Sequence, residues 1–310
     1  MDAIIITSII STTIIAGTPL ILAALGELVT EKSGVLNLGV EGMMAVGAVS
    51  AFATAHATGE PGLAVLVGMG AATLLSLVFG FLTLTMLANQ VASGLALSIF
   101  GVGLSAFIGK PYESAPLPTV MPIHIPVLAD IPVIGPALFN QQSIVYLSWI
   151  IVAAVLWFLY RSRSGLVLRA IGESPTVGHA VGHPVIFIRY LAVAFGGAMA
   201  GMAGAFLSVY YTPLWAEGMV AGRGWIAVAL VVFATWRPLR VVLGAYLFGG
   251  VMVLMLFLQG SGLKMNVPSQ LLSSLPYLAT IFVLVVISRN PKIIRLNSPV
   301  SLGQPFRANS

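Results

Sequence analysis

Long apolar stretches alternate with short polar ones along almost the whole chain. The hydrocarbon core of a bilayer, about 30 Å thick, takes roughly 20 apolar residues of helix to cross. On that measure the pattern predicts membrane-spanning helices over 4–26, 35–58, 62–88, 91–109, 143–160, 185–210, 240–258 and 270–288. One further apolar piece, WIAVALVVFATW at 225–236, is short, and as a helix it reaches only about 18 Å. It fits either a short crossing or a re-entrant hairpin. The expected fold is all-α, a polytopic membrane protein of about nine transmembrane helices (eight to ten), some short or broken. A single membrane domain covers residues 1–310.

Composition agrees with this pattern. The 310 residues are 58% hydrophobic and 7% charged, with a mean hydropathy of +1.03, which excludes an ordinary soluble domain. There is no Cys, and the four His (His56, His124, His179, His183) are mostly far apart. Neither a disulfide framework nor a metal site is expected. The first segment, MDAIIITSIISTTIIAGTPLILAALG, lacks the basic start of a cleaved leader and has too long an apolar run, so it reads as a retained first helix.

The net charge of +5 would suggest nucleic acid in a soluble protein. Here the Lys and Arg flank apolar spans, so the expected partner is the lipid bilayer and not nucleic acid. If 225–236 crosses, Lys32, Arg161, Arg163, Arg169, Arg237, Arg240, Arg289, Lys292, Arg295 and Arg307 share one side, against Lys110, Arg223 and Lys264 on the other. If it is re-entrant, the later segments flip and the basic tail 289–310 falls outside. The positive-inside rule favours the crossing, a multi-pass chain with its N-terminus outside and its C-terminus cytoplasmic.

Two loops on this topology are long. The outer loop 110–142 carries seven Pro, which disfavours continuous helix and leaves a stiff connector or a docking lid. The inner loop 161–184, RSRSGLVLRAIGESPTVGHAVGHP, is too polar to insert. A short helix with Leu166, Val167, Ala170 and Ile171 on one face fits it, lying along the membrane where a partner can grip it.

Polar groups inside an apolar chain need a reason. In EKSGVLNLGVEG, at 31–42, Gly34, Gly39 and Gly42 weaken or break the helix, and Asn37 and Glu41 share a face of any helix that forms. Either Glu41 satisfies freed backbone near the inner interface, or Asn37 and Glu41 line a path or a subunit seam. NQVASG at 89–94 starts span four at the same level, so Gln90 and Ser93 can meet that stretch, or Asn89 simply caps its own helix. In span six, Gly197, Gly201 and Gly204 belong to small-xxx-small pairs that allow close helix packing. Trp225 is an interfacial anchor or a stacking platform for a planar or sugar ligand. No catalytic residue is expected: the closest approach to a phosphate loop, GLSAFIGKP at 103–111, has the wrong spacing and lies in an apolar span.

Five segments carry a resemblance: GVLNLGVEGMM (34–44), NQVASGLAL (89–97), GLVLRAIGESP (165–175), FGGAMAGMAGAF (195–206) and GRGWIAVALVVFATWRPL (222–239). In order and spacing they resemble the permease subunits of bacterial ABC importers for ribose, branched-chain amino acids and nucleosides, most closely the nucleoside (guanosine-type) and simple-sugar branch. WRPLR, with Arg237, is unusually basic for that pattern. The resemblance implies a bacterial cell membrane location and no cofactor on this chain, ATP and Mg belonging to a separate cytoplasmic ATPase. It also implies a second homologous permease in a heterodimer and an external solute-binding protein or lipoprotein. The inner loop would supply a coupling helix, with Arg169, Gly172, Glu173 and Pro175 on the matched motif. A secondary transporter using Glu41 as its ion site is the alternative from another class.

Overall fold

The structure, a computed structural model, describes residues 2–132, 134–260 and 297–307, with Ser274, Leu278, Ile281 and Val285. The helices run α1 (Asp2–Lys32), α2 (Val40–Thr58), α3 (Pro61–Gly80), α4 (Gln90–Gly109), α5 (Ile134–Phe139) and α6 (Ser143–Arg161), then α7 (Arg163–Glu173), α8 (Pro175–Ala180), α9 (Val185–Ala205), α10 (Arg223–Phe233) and α11 (Pro238–Gly260). A π-helical turn extends α3 through Phe81–Thr85 and another extends α9 through Phe206–Tyr211. The chain is an all-helical polytopic membrane protein. Among the described residues, six helices are long and apolar enough to cross a bilayer: Ile5–Lys32, Pro61–Thr85, Gln90–Tyr112, Ser143–Arg161, Val185–Tyr211 and Pro238–Leu258. The expected span 270–288 lies outside the described residues, apart from isolated positions.

Helix α2 sits at the centre, packed on α3, α4, α9 and α10. It sees protein on nearly every side, so its sequence needs small residues more than lipid-facing bulk. Its neighbours come so close that glycine is required at the crossings. A Cβ on Gly47 would meet the Gly201 Cα at 2.5 Å, and one on Gly204 would meet the Met44 carbonyl oxygen at 2.0 Å. Gly197 lies on Ser76 and Ala72 of α3. The small face of α9 is thus used inside the chain, against α2 and α3, with backbone dispersion contacts in place of side-chain interdigitation.

Contacts sort the helix ends onto two faces. The α1 C-terminus, the break that follows it, the starts of α4 and α9, and helix α7 meet on one, which we name the Lys32 face: Leu36 N–H donates to Gln90 Oε1 at 2.8 Å, Thr85 and Tyr190 share a 2.6 Å hydroxyl bond, and Gly172 packs on the Lys32 carbonyl. On the Lys110 face, the loop after α4 pairs with the segment after α9 through Leu117 N–H to Pro213 O (2.9 Å) and Glu113 beside Trp215. The Pro-rich loop folds there into a two-residue hairpin pair, Ile123–His124 with Asn140–Gln141, and the short helix α5.

Two expectations shift. Helix α1 runs to Lys32 and α2 starts only at Val40, because Gly34 takes a left-handed φ of +90° that ends α1. Asn37 therefore lies in the break and not on a helix face with Glu41. In α7 the buried residues are Gly165, Leu168, Ile171 and Gly172, whereas Leu166 and Ala170 are exposed. The helix packs down on the end of α1 through Gly172, and this contact, absent from an amphipathic count, rotates the buried face.

Gly204→Val should lower the stability of the detergent-purified chain by about 3 kcal/mol, since its new atoms would meet backbone that cannot give way. Gly62→Ala, where a Cβ meets nothing within 4 Å, should leave the melting temperature unchanged or slightly raised. A thermal melt of the two variants checks both.

Candidate functional site

Seven residues, Ser33–Gly39, separate α1 from α2, and their backbone groups lie among buried helices where water is scarce. Side chains take its place. Asn37 N–H donates to Glu27 Oε1 at 3.0 Å, and the Asn37 side-chain oxygen accepts from Gly39 N–H at 2.9 Å, a local turn that aims the chain into α2. From α4, Gln90 takes the Leu36 amide and Ser98 Oγ donates to the Leu38 carbonyl at 3.0 Å. Gly94 lets α4 approach this strand of backbone, its Cβ position lying 2.8 Å from the Leu38 nitrogen. Asn89 caps α4 by accepting from Ala92 N–H, and Ser93 is half-buried on the next turn.

Glu41, in the first turn of α2, turns toward α10. Its two carboxylate oxygens accept the Gly222 and Gly224 amides, each at 2.7 Å. Those amides open α10, so a carboxylate sits on the positive end of a helix dipole as well as on two unsatisfied donors. The fit requires glycine at both places: Gly222 has φ +80°, and a Cβ on Gly224 would lie 2.5 Å from the Glu41 Cα. Both oxygens are engaged, and the carboxylate is nearly buried.

The far end of α10 is held by a second carboxylate. Trp236 donates its indole N–H to Glu31 on α1, after Thr235 and Trp236 reverse the chain with φ of +49° and +53°. Such angles are costly for bulky residues, and the indole bond and full burial fix them here. Trp215 lies on Gly109 at the Lys110 face and Trp236 beside Glu31 at the other, so residues 215–236 pass from face to face with α10 forming only part of the crossing. That geometry matches the crossing expected from charge. Trp225 projects from α10 and is 40% exposed.

Around α7, Arg169 is half-buried with its guanidinium 5.3 Å over the Tyr160 ring, Gly172 is buried, Glu173 is exposed and Pro175 starts α8. Ser162 and Ser174 cap α7 and α8 by accepting the Gly165 and Val177 amides. Lys32, Tyr160, Arg169 and Glu173 line one open cavity beside this helix.

The break thus brings Asn37 and Gln90 to neighbouring stretches of its backbone, whereas Glu41 holds α10 instead, with Trp225 one residue beyond the Gly224 amide that it accepts. Reading the sequence missed Glu27, Glu31 and Arg189. All three are buried, and Arg189 donates to the Ser33 carbonyl at 3.0 Å. The signal for Arg189 was available: it is a cation inside an apolar span, and such residues default to a specific role.

Comparison with known proteins gives this architecture a family. The family described as "Branched-chain amino acid transport system / permease component" matches residues 9–287. The chain is 41% identical to the putative glucose ABC transporter permease protein of Haloferax volcanii, covering 96% of this chain and 97% of the relative. It is 30% identical to the guanosine ABC transporter permease protein of Bacillus subtilis, over 99% and 98% of the two chains. It is 31% identical to the nucleoside ABC transporter permease protein of Lactococcus lactis, over 90% and 91%. The chain belongs to this family of ABC transporter permeases, multi-pass membrane subunits that leave ATP hydrolysis to a separate subunit and work with a solute-binding partner.

Glu41→Gln should weaken the α10 N-terminus, because the amide presents one acceptor oxygen and sets an NH₂ against a backbone donor. The loss is about 2 kcal/mol, equivalent to roughly 30-fold faster hydrogen exchange at Gly222–Gly224. Mass spectrometry of exchange in detergent reads this directly, and unchanged protection there would mean that the carboxylate does not hold the helix.

Proposed function

We propose that this chain, as a member of that permease family, is the shorter of two unlike permeases in an ATP-driven importer of a nucleoside or simple sugar. The observation carrying this reading is the surface around α7 and α8. It leaves Leu166, Val177 and Val181 exposed beside Arg163 and Glu173, and packs through Gly172 on the end of the first membrane helix. Such a surface suits a soluble partner, and Arg169, Gly172, Glu173 and Pro175 are its coupling residues. The Lys32 face is then cytoplasmic and both the N-terminus and the loop 110–142 external, in keeping with Lys32, Arg161, Arg163, Arg169, Arg237 and Arg240 near that face. The tail 289–310 is cytoplasmic too, and the membrane is a bacterial-type cell membrane.

In this mechanism ATP, with Mg, binds the partner ATPase pair and closes it, α7 follows, and the two permeases rock so that a central cavity opens to either side in turn. Asn37, Glu41 and Gln90 act as gate framework, fixing the break and the start of α10. Trp225 and Ser93 face the path. The chain needs no tight solute site, because the external receptor supplies affinity. The relatives named for glucose, guanosine and nucleosides support a small polyhydroxylated solute.

The ion-driven alternative has no observation of its own in its favour, and Glu41, its proposed ion site, accepts a backbone amide at each oxygen as a helix cap does.

An affinity-tagged chain should bring down an ATPase subunit and a second permease from its native membrane; purification alone would sink the proposal. Uptake of labelled guanosine or glucose into vesicles should require ATP inside the cytoplasmic space and survive a protonophore. Excess nucleoside or sugar should compete, and competition by leucine alone would overturn the solute class. Inserting one residue after Ala170 should leave ATP hydrolysis running while uptake falls at least tenfold.

A further inference from the structure

The segment 299–306 lies beyond the stretch that the family description matches, yet it is built into the Lys32 face. Ser301 is its centre. Its backbone N–H and its hydroxyl both donate to the Gly172 carbonyl of α7, at 3.0 and 2.7 Å, and its hydroxyl oxygen accepts from Arg189 Nη2 at 3.1 Å. Arg189 belongs to α9 and also donates, through Nε, to the Ser33 carbonyl in the break after α1. Two residues on, Gly303 N–H donates to the Gly34 carbonyl at 3.2 Å. Phe306 then enters a small apolar cluster of its own, separate from the main core, with Ile171 of α7 and Val185 of α9. The Arg189 guanidinium lies 6.0 Å over its ring and His179 of α8 5.9 Å from it.

The close fit excludes a loosely draped tail. A Cβ on Gly34 would lie 2.4 Å from Ser301 Oγ and 2.7 Å from Arg189 Nη2, and one on Gly172 would lie 2.2 Å from the Lys32 carbonyl. Arg189 and Ser301 are each at least 96% buried. One short segment therefore touches α7, α8, α9 and the α1–α2 break at once.

We propose that residues 299–306 form a clasp that hands movement of α7 to the α1–α2 break and to α9, with Arg189 as the positioning residue that locks it. The inference rests on α7 being the ATPase-coupling helix. The Gly172 carbonyl is the input: it accepts twice from Ser301, so displacement of α7 pulls Ser301. Arg189 is the output, since its fork holds Ser33 through Nε and Ser301 through Nη2, whereas Lys would have to serve both from one flexible nitrogen. The break that receives the pull is the one that positions Glu41 against α10.

The test uses the complete importer, with this chain as wild type, Ser301→Ala, Phe306→Ala, Arg189→Lys, or lacking residues 299–310. Co-purification of the ATPase, ATP hydrolysis and uptake of labelled guanosine and glucose are measured on each. The variants should retain the ATPase and its hydrolysis while solute moved per ATP falls about tenfold. Uptake per ATP equal to wild type in Ser301→Ala, Phe306→Ala and the truncation overturns the clasp. Loss of ATPase binding in step with uptake also overturns it, because a segment that merely holds α7 in shape would behave so. A wild-type chain that captures no ATPase fails the proposed function itself, an outcome read before any variant is made.

Discussion

Backbone that leaves its helix inside a bilayer has no water to turn to, and each donor or acceptor freed there must find a protein partner. This constraint organises the molecule. The break at Ser33–Gly39 is tolerated because Glu27, Gln90, Ser98 and Arg189 supply its missing partners. The opening of α10 is tolerated because Glu41 takes two of its amides. Charged side chains that would be expensive in lipid become affordable as caps, since the groups that they satisfy would otherwise be equally unsatisfied.

Close approach by glycine makes the same arrangement possible in space. Gly47, Gly201 and Gly204 bring α2 and α9 together, while Gly68 and Gly197 bring α3 onto both. A central α2 buried in this way presents Glu41 to α10 and the break to α4 from a rigid base. Backbone strain is stored at the ends of α10, where Ala221, Thr235 and Trp236 hold left-handed angles under constraint.

At the Lys32 face these internal parts meet helices α7 and α8. Helix α7 stands on the end of α1 through Gly172, and the segment around Ser301 and Phe306 ties it to α8, α9 and the break. For an ABC transporter permease, which has no engine of its own, the route by which force enters is as consequential as the path taken by the solute.

Much of this was legible in order along the chain. Apolar length located the spans at α3, α4, α6, α9 and α11 within a few residues, and small-residue spacing marked the packing face of α9. Local glycine content announced the break at 34–42, and charge balance favoured a crossing at 225–236. These features depend on a residue and its near neighbours, which a sequence states directly. What folding alone decided are the long-range partners: Glu41 with Gly222 and Gly224, Glu31 with Trp236, Arg189 with Ser33 and Ser301. The buried face of α7 belongs with them, since it is set by contact with the Lys32 carbonyl and not by its own periodicity. A polar residue in an apolar span says that a partner must exist, because burial without one is too costly; which partner it is depends on how helices far apart in sequence come together.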